Sequence, residues 1–258
     1  MPTSNGLYYF LHEGGKLSRP PVVLLHGAGG SHLSWPPEIR RMSGYRVYAL
    51  DLPGHGKSNG VGKQSAEDYA ETVIKFLDDV SLWKAVFVGH SMGGAVALTL
   101  AMKYPERVAG LGLLSCGARL PVASTLLENS ANPATFPLAL QFLLDGLFSP
   151  HADARMIERT SRLLAGTRPA VLHGELVACN AFDAAKSIGK IHTPTLVLCG
   201  TEDRLTPPRF SQALANNIPA SALQTIDGAG HAVMLEQPRR VAALMNVFLM
   251  TIPYIPGV

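Results

Sequence analysis

Lys84-Ala85-Val86-Phe87-Val88-Gly89-His90-Ser91-Met92-Gly93-Gly94-Ala95-Val96-Ala97-Leu98-Thr99-Leu100-Ala101 is the stretch that decides how this chain reads. It opens as an apolar run of strand character and closes as a helical run, with Ser91 at the junction. A buried strand that turns directly into a helix forces a sharp bend, and a serine at the apex presents its hydroxyl from strained backbone. Gly89, Gly93 and Gly94 let strand and helix approach closely. Gly-x-Ser-x-Gly by itself is common by chance; the flanking strand and helix make this occurrence specific.

A serine hydroxyl is a weak nucleophile until a base, itself held by a third group, takes its proton. Both partners follow in the order acid, histidine. Thr195-Leu196-Val197-Leu198-Cys199 reads as a buried strand that opens into Gly200-Thr201-Glu202-Asp203-Arg204-Leu205-Thr206-Pro207. Asp203 falls just past the strand's C-terminal end, where ligands gather in parallel sheets. Ala222-Leu223-Gln224-Thr225-Ile226 reads as a further strand, followed by Asp227-Gly228-Ala229-Gly230-His231, a loop suited to presenting His231. Ser91, Asp203 and His231 are thus expected at one edge of a sheet. Acyl transfer also needs donors for the oxyanion. One is the amide of Met92, after the serine. The other is expected from His26-Gly27-Ala28-Gly29-Gly30, which follows the strand Val22-Val23-Leu24-Leu25; the amide of Ala28 is the first choice and that of Gly27 the alternative.

Five motifs in order, His26-Gly27-Ala28-Gly29-Gly30, Asp51-Leu52-Pro53-Gly54-His55-Gly56-Lys57-Ser58, Gly89-His90-Ser91-Met92-Gly93-Gly94, Gly200-Thr201-Glu202-Asp203 and Gly230-His231, resemble the α/β-hydrolase superfamily, and within it the small capped serine hydrolases of carboxylesterase type. The resemblance runs from about residue 20 to residue 250 with a gap at 117–187. It implies a Ser-Asp-His triad, the two backbone donors, and hydrolysis without metal or cofactor. It does not fix the substrate, because one fold hosts many chemistries.

Neighbouring polar residues have structural readings. Glu202 is the alternative acid to Asp203, though aspartate is the usual orienter of the base. His90 is expected to pack inward, and His26 and His55 to bond within their loops. Asp51 closes the strand Arg46-Val47-Tyr48-Ala49-Leu50 and is expected to tie the following Pro53-Gly54-His55-Gly56 turn.

Composition narrows the class. With 47% hydrophobic and 16% charged residues, the chain has material for a well-buried core and is not disordered. A net charge of +3 without a Lys/Arg run argues against a nucleic-acid partner. Cys116, Cys179 and Cys199 are odd in number, follow no metal-ligand spacing and read as free buried thiols, which suits a reducing compartment. Met1 to Gly6 carry no signal-peptide pattern and no stretch reads as a membrane span, so a cytoplasmic location is expected.

Along the chain, strands near 7–11, 22–26, 45–50, 84–88, 108–115, 195–199 and 222–227 alternate with helices near 65–80, 94–101, 208–217 and 236–250. This alternation predicts an α/β fold: a mostly parallel central sheet with helices on both faces. Residues 14–21 are mostly polar, so an edge strand is expected to be missing or short. Residues 117–187 break the alternation and are too long for a structureless connection. They read as helical at 136–148, 153–165 and 169–182, and the resemblance makes them a cap over the serine, with 1–116 and 188–258 as the core. Pocket walls are expected from Phe136, Leu143 and Leu147 of that segment, from Leu33 and Trp35, with His32, after the oxyanion loop, and from Val233 and Met234 after His231. Arg155, Arg159 and Arg162 read as a solvated helix face.

The expected activity is hydrolysis of small to medium, mainly apolar, carboxylic esters through an acyl-enzyme, the partner being a small-molecule ester; oligomeric state stays open. Three alternatives stand beside it. A carbon–carbon hydrolase of vinylogous ketoacids would want a cation for a substrate carboxylate, and none is evident in the pocket segments. A cofactor-free haloperoxidase or perhydrolase would use the same triad. A ligand receptor would bind tightly with turnover below about one per minute.

Overall fold

The computed structural model describes residues 3–14 and 19–253. Eight strands form one sheet: β1 (Thr3–Ser4), β2 (Leu7–Glu13), β3 (Val22–Leu25), β4 (Arg46–Leu50), β5 (Ala85–His90), β6 (Val108–Leu114), β7 (Thr195–Gly200) and β8 (Ser221–Ile226). Their spatial order is β1-β2-β4-β3-β5-β6-β7-β8. β1 and β2 pair antiparallel, β2 joins β4 antiparallel, and every later pairing is parallel. The short edge strand exists as β1, only two residues long; of the polar stretch 14–21, residues 15–18 lie outside the described residues.

The helices are α1 (Pro37–Arg40), α2 (Ala66–Asp79), α3 (Met92–Lys103), α4 (Ser124–Ala131), α5 (Phe136–Leu147), α6 (Ala154–Ala165), α7 (Pro169–Ala181), α8 (Pro208–Asn217), α9 (Val233–Glu236) and α10 (Pro238–Thr251). Period-two alternation along β3 sends Val23 and Leu25 into the apolar layer under α2 and α3, and Val22 and Leu24 into the layer under α1 and α10. A sheet buried on both faces explains why its parallel strands read as unbroken apolar runs. α2, the helix expected near 65–80, is amphipathic, burying Ala66, Tyr69, Ala70, Val73, Phe76 and Leu77, and Ser65 caps it by accepting the Asp68 amide at 3.0 Å.

Between β6 and β7 the chain makes a helical excursion through α4 to α7. Its base is closed by the Ala184 amide donating to the Ala118 carbonyl at 2.8 Å and by an Arg119–Asp183 ion pair at 2.9 Å. Three of its helices match the expected ones; α4, preceded by a loop from Gly117 to Ala123, was not expected as a helix. Leu126, Phe136, Ala139, Leu143, Leu172 and Leu176 give the excursion an apolar core of its own.

Candidate functional site

β5 buries all six of its residues and hands the chain to α3 through Ser91, which sits at φ 52°, ψ −115°. That left-handed region is costly for a residue with a Cβ, and a non-glycine residue held there points to function. The neighbouring glycines make the bend feasible: a Cβ on Gly89 would meet the Gly93 carbonyl oxygen at 2.1 Å, and one on Gly93 would meet that of Leu25 at 2.2 Å. Met92 opens α3, so its amide belongs to the helical turn whose N–H groups lack partners inside the helix.

Asp203 follows β7 and is 3% exposed. Its Oδ1 accepts the amides of Leu205 at 3.0 Å and Thr206 at 2.8 Å; its Oδ2 accepts the Thr206 hydroxyl at 2.9 Å. His231 Nδ1 lies 3.0 Å from each carboxylate oxygen and 3.1 Å from Thr206 Oγ1. Burial pushes the Asp203 carboxyl up, but the His231 ring and these hydrogen bonds outweigh it, and the net effect holds it below the usual carboxylate range. Nδ1 is therefore committed to Asp203, which leaves Nε2 as the ring nitrogen that Asp203 does not engage. Glu202, by contrast, is half-buried and its amide serves the Ala229 carbonyl at 2.9 Å. Thr206 is a contributor that the sequence reading missed; a hydroxyl three residues after the acid is the signal that could have found it.

Ser91 and His231 line one cavity of about 240 Å³ together with Ala28, Thr206 and apolar residues of the helical excursion, among them Leu126, Leu143 and Leu176. Ala28 occupies the turn closed by the Gly30 amide on the Gly27 carbonyl at 3.0 Å, with Gly29 at φ +68°. A second cavity of about 350 Å³ borders the His26–Gly30 loop, Ala28 included, and is lined by Leu33, Trp35, Leu147 and Met234. The expected walls thus divide between two chambers: Leu143 faces the serine, while Leu33, Trp35, Leu147 and Met234 line the other.

Two expected walls are corrected. Phe136 packs into the core of the excursion with Ala139 and Leu172, where α5 lies against α4. Val233, fully buried, begins α9 and packs into the sheet layer with Met245 and Leu249. His32 is also no wall of consequence: its amide and Nδ1 both hold Asp51 Oδ1, at 2.6 and 2.8 Å. Asp51 ties its turn as expected, accepting the Lys57 amide at 2.9 Å, and additionally anchors the loop that follows the oxyanion turn. Arg155 and Arg159 are exposed but border the second cavity, so they are more than a solvated face. Arg204 borders the serine's cavity, supplying the cation not evident in the sequence, although its guanidinium is engaged with the Asp145 and Phe148 carbonyls at the end of α5.

The histidines resolve into distinct roles. His90 Nε2 donates to the His231 carbonyl at 3.0 Å and its ring packs on that of His231 at 4.8 Å. Burial, with the nearby His231, pushes its pKa down to about 3, so it is neutral at working pH. His26 accepts the Leu52 amide at Nε2 (3.0 Å) and donates from Nδ1 to Gly27 O (2.8 Å), and burial holds it at about 4. His55 departs from its expected role: it touches the Pro53 carbonyl, but its Nε2 also lies 3.0 Å from Glu175 Oε2 on α7. The three cysteines are free and buried, and burial raises the Cys116 thiol to about 12.

This fold, with a strained serine after the fifth strand, defines an α/β hydrolase: a model of the Alpha/beta hydrolase family matches residues 22–244, and the chain belongs to that family. Among its relatives is a pimeloyl-[acyl-carrier protein] methyl ester esterase of Neisseria meningitidis, 32% identical over 88% of this chain and 93% of that protein. Another is a putative carbamate hydrolase RutD of Pseudomonas syringae, 28% identical over 96% of this chain and 100% of the relative. A thermophilic esterase from Thermogutta terrifontis superposes with a TM-score of 0.86 at 27% identity, covering 95% of this chain and 93% of its own. Among the described residues, no helix is long and apolar enough to cross a membrane.

Proposed function

We propose that the chain is a carboxylic ester hydrolase working through an acyl-enzyme on Ser91, His231 and Asp203. The observation that carries this is the placement of His231, its Nδ1 fixed by Asp203 and Thr206, in one cavity with Ser91 and Ala28. His231 takes the serine proton as Ser91 attacks the ester carbonyl. Asp203 orients the ring and stabilises its charged form. The amides of Met92 and Ala28 receive the developing oxyanion, a donor being worth about 3–4 kcal/mol in such sites. The protonated ring then delivers its proton to the leaving alcohol, and water activated by the same ring clears the acyl group. The helical excursion serves as a cap whose apolar side chains select small to medium, mainly apolar, acyl groups.

The relative that acts on a methyl ester supports an ester as substrate, and the carbamate-hydrolase relative makes a carbamate the nearest chemical variation. Hydrolysis of p-nitrophenyl esters from acetate to laurate, with a p-nitrophenyl carbamate alongside, tests the reading in wild type and Ser91→Ala. Turnover that peaks at short or medium chains and vanishes in the variant is expected, together with loss of labelling by a serine-directed phosphonate. Turnover retained by Ser91→Ala would overturn the assignment of the nucleophile; faster carbamate than ester turnover would move the substrate class.

A further inference from the structure

Glu175 is a charged side chain with no place in the chemistry above, yet it is fully buried. It projects from α7, in the cap, and its Oε2 accepts the Gly29 amide at 2.7 Å, the shortest backbone bond in the oxyanion loop. The same oxygen lies 3.0 Å from His55 Nε2, while Oε1 is buried without a hydrogen-bond partner among the described residues. A second cap residue, Thr167, donates its hydroxyl to the Gly29 carbonyl at 3.2 Å. Both polar groups of Gly29 are thus held from the helical excursion, whereas the Gly27 carbonyl takes its bonds within the turn, from His26 Nδ1 at 2.8 Å and the Gly30 amide at 3.0 Å.

A buried carboxylate with one unsatisfied oxygen is expensive, and what it holds in return is the Gly29 amide and the His55 ring. With its amide given to Glu175, Gly29 has no free N–H to offer an oxyanion, whereas Ala28, one residue back, lines the cavity that holds Ser91 and His231. We infer that Glu175 is a positioning residue for the reaction: assisted by Thr167, it clamps Gly29 so that the Ala28 amide stands where the tetrahedral oxyanion forms, and seating of the cap thereby completes the oxyanion hole. This rests on the ester-hydrolase reading of the site. The cap is then part of the catalytic geometry as well as a wall of the pocket.

The test separates orientation from folding. Glu175→Met fills the volume but offers the Gly29 amide no oxygen acceptor; Glu175→Gln keeps an oxygen acceptor there. On the best p-nitrophenyl ester, Glu175→Met is expected to lose roughly 10- to 100-fold in kcat, the scale of a misplaced reacting group, with KM changed by less than about threefold. Binding of a trifluoromethyl ketone, whose adduct with the serine carries the oxyanion, weakens by the same factor as kcat. Glu175→Gln restores most of both. A folded Glu175→Met with wild-type kcat and ketone affinity, altered only in melting temperature, overturns the inference and leaves the ester-hydrolase reading intact. If that variant shows no cooperative melt, Thr167→Val decides: a fall in kcat at constant KM supports the clamp, and unchanged kcat overturns it. A wild type that turns over no ester in the series defeats the ester reading, and the clamp with it.

Discussion

Thr206 gives its amide and its hydroxyl to the two oxygens of Asp203, at 2.8 and 2.9 Å, and the same hydroxyl reaches His231 Nδ1 at 3.1 Å. A single side chain therefore fixes the acid's plane and borders the ring it orients. Bonds of this kind to charged groups are worth about 1.5–3 kcal/mol, which corresponds to roughly 10- to 100-fold in rate. Thr206→Val is expected to lower kcat by about tenfold at nearly constant KM, and Thr206→Ser to keep most of the activity; equal kcat for Val and wild type would mean that Asp203 holds His231 unaided. At this scale the sequence was legible where a residue type is chemically obligatory. The places of Ser91 at the bend, Asp203 past β7 and His231 in its glycine-rich loop could be read, because a strand-to-helix bend and a strand end each leave a pattern in the sequence. Thr206 and Glu175 were not legible, because a threonine in a loop and a glutamate on a helix are ordinary, and only the fold brings them against Asp203 and Gly29.

Elements show a similar division. The strands and the amphipathic helices were legible from periodicity, since burial on one or both faces of the sheet leaves a pattern with a definite period. α5 shows where that stops working. Phe136-Pro137-Leu138-Ala139-Leu140-Gln141-Phe142-Leu143-Leu144-Asp145-Gly146-Leu147 is apolar around most of its circumference. Such a helix has several neighbours, so its sequence cannot say which side chain faces which. Phe136, 8% exposed, lies in the excursion's own core; Phe142, 45% exposed, borders the serine's cavity about one and two-thirds turns later. The two phenylalanines should respond differently to the same truncation. Phe136→Ala is expected to cost about 3 kcal/mol or more in stability, read from urea midpoints. Phe142→Ala should stay within about 0.5 kcal/mol of wild type while raising KM for the longer esters of the series. A large loss of stability at Phe142, or an unchanged chain-length profile, would contradict its place at the cavity.

For the whole molecule the relevant quantity is how the buried titratable groups set the pH range in which the fold survives. The motifs located His26, His55 and His90 but could not give their ionisation, which depends on burial and on partners far away in sequence. His26 and His90 are held at about 4 and about 3, first by burial, against an ordinary value of 6.5. Each is neutral in the fold and becomes protonated on unfolding, so the stability tied to each is fully present above pH 6.5 and is lost as pH falls toward the folded value. His55 carries the opposite sign. Burial lowers its pKa, but Glu175 outweighs burial and the net shift is upward, so its contribution is present below 6.5 and fades as pH rises through the folded value. Stability should therefore begin to fall on the acid side in the histidine range, well before the carboxylates of Asp51 and Asp203, both depressed, give up their charge. His90→Gln isolates one of these groups, because the Gln amide can still donate to the His231 carbonyl but does not titrate. Between about pH 6 and 4.5 each such histidine should contribute a slope of about 1.4 kcal/mol per pH unit. The unfolding free energy of His90→Gln, measured by urea titration at intervals across that range, should fall less steeply than wild type by that amount. An unchanged slope would mean that His90 takes up its proton inside the fold, and the packing of its ring on His231 would then have to tolerate a charge beside the proposed base.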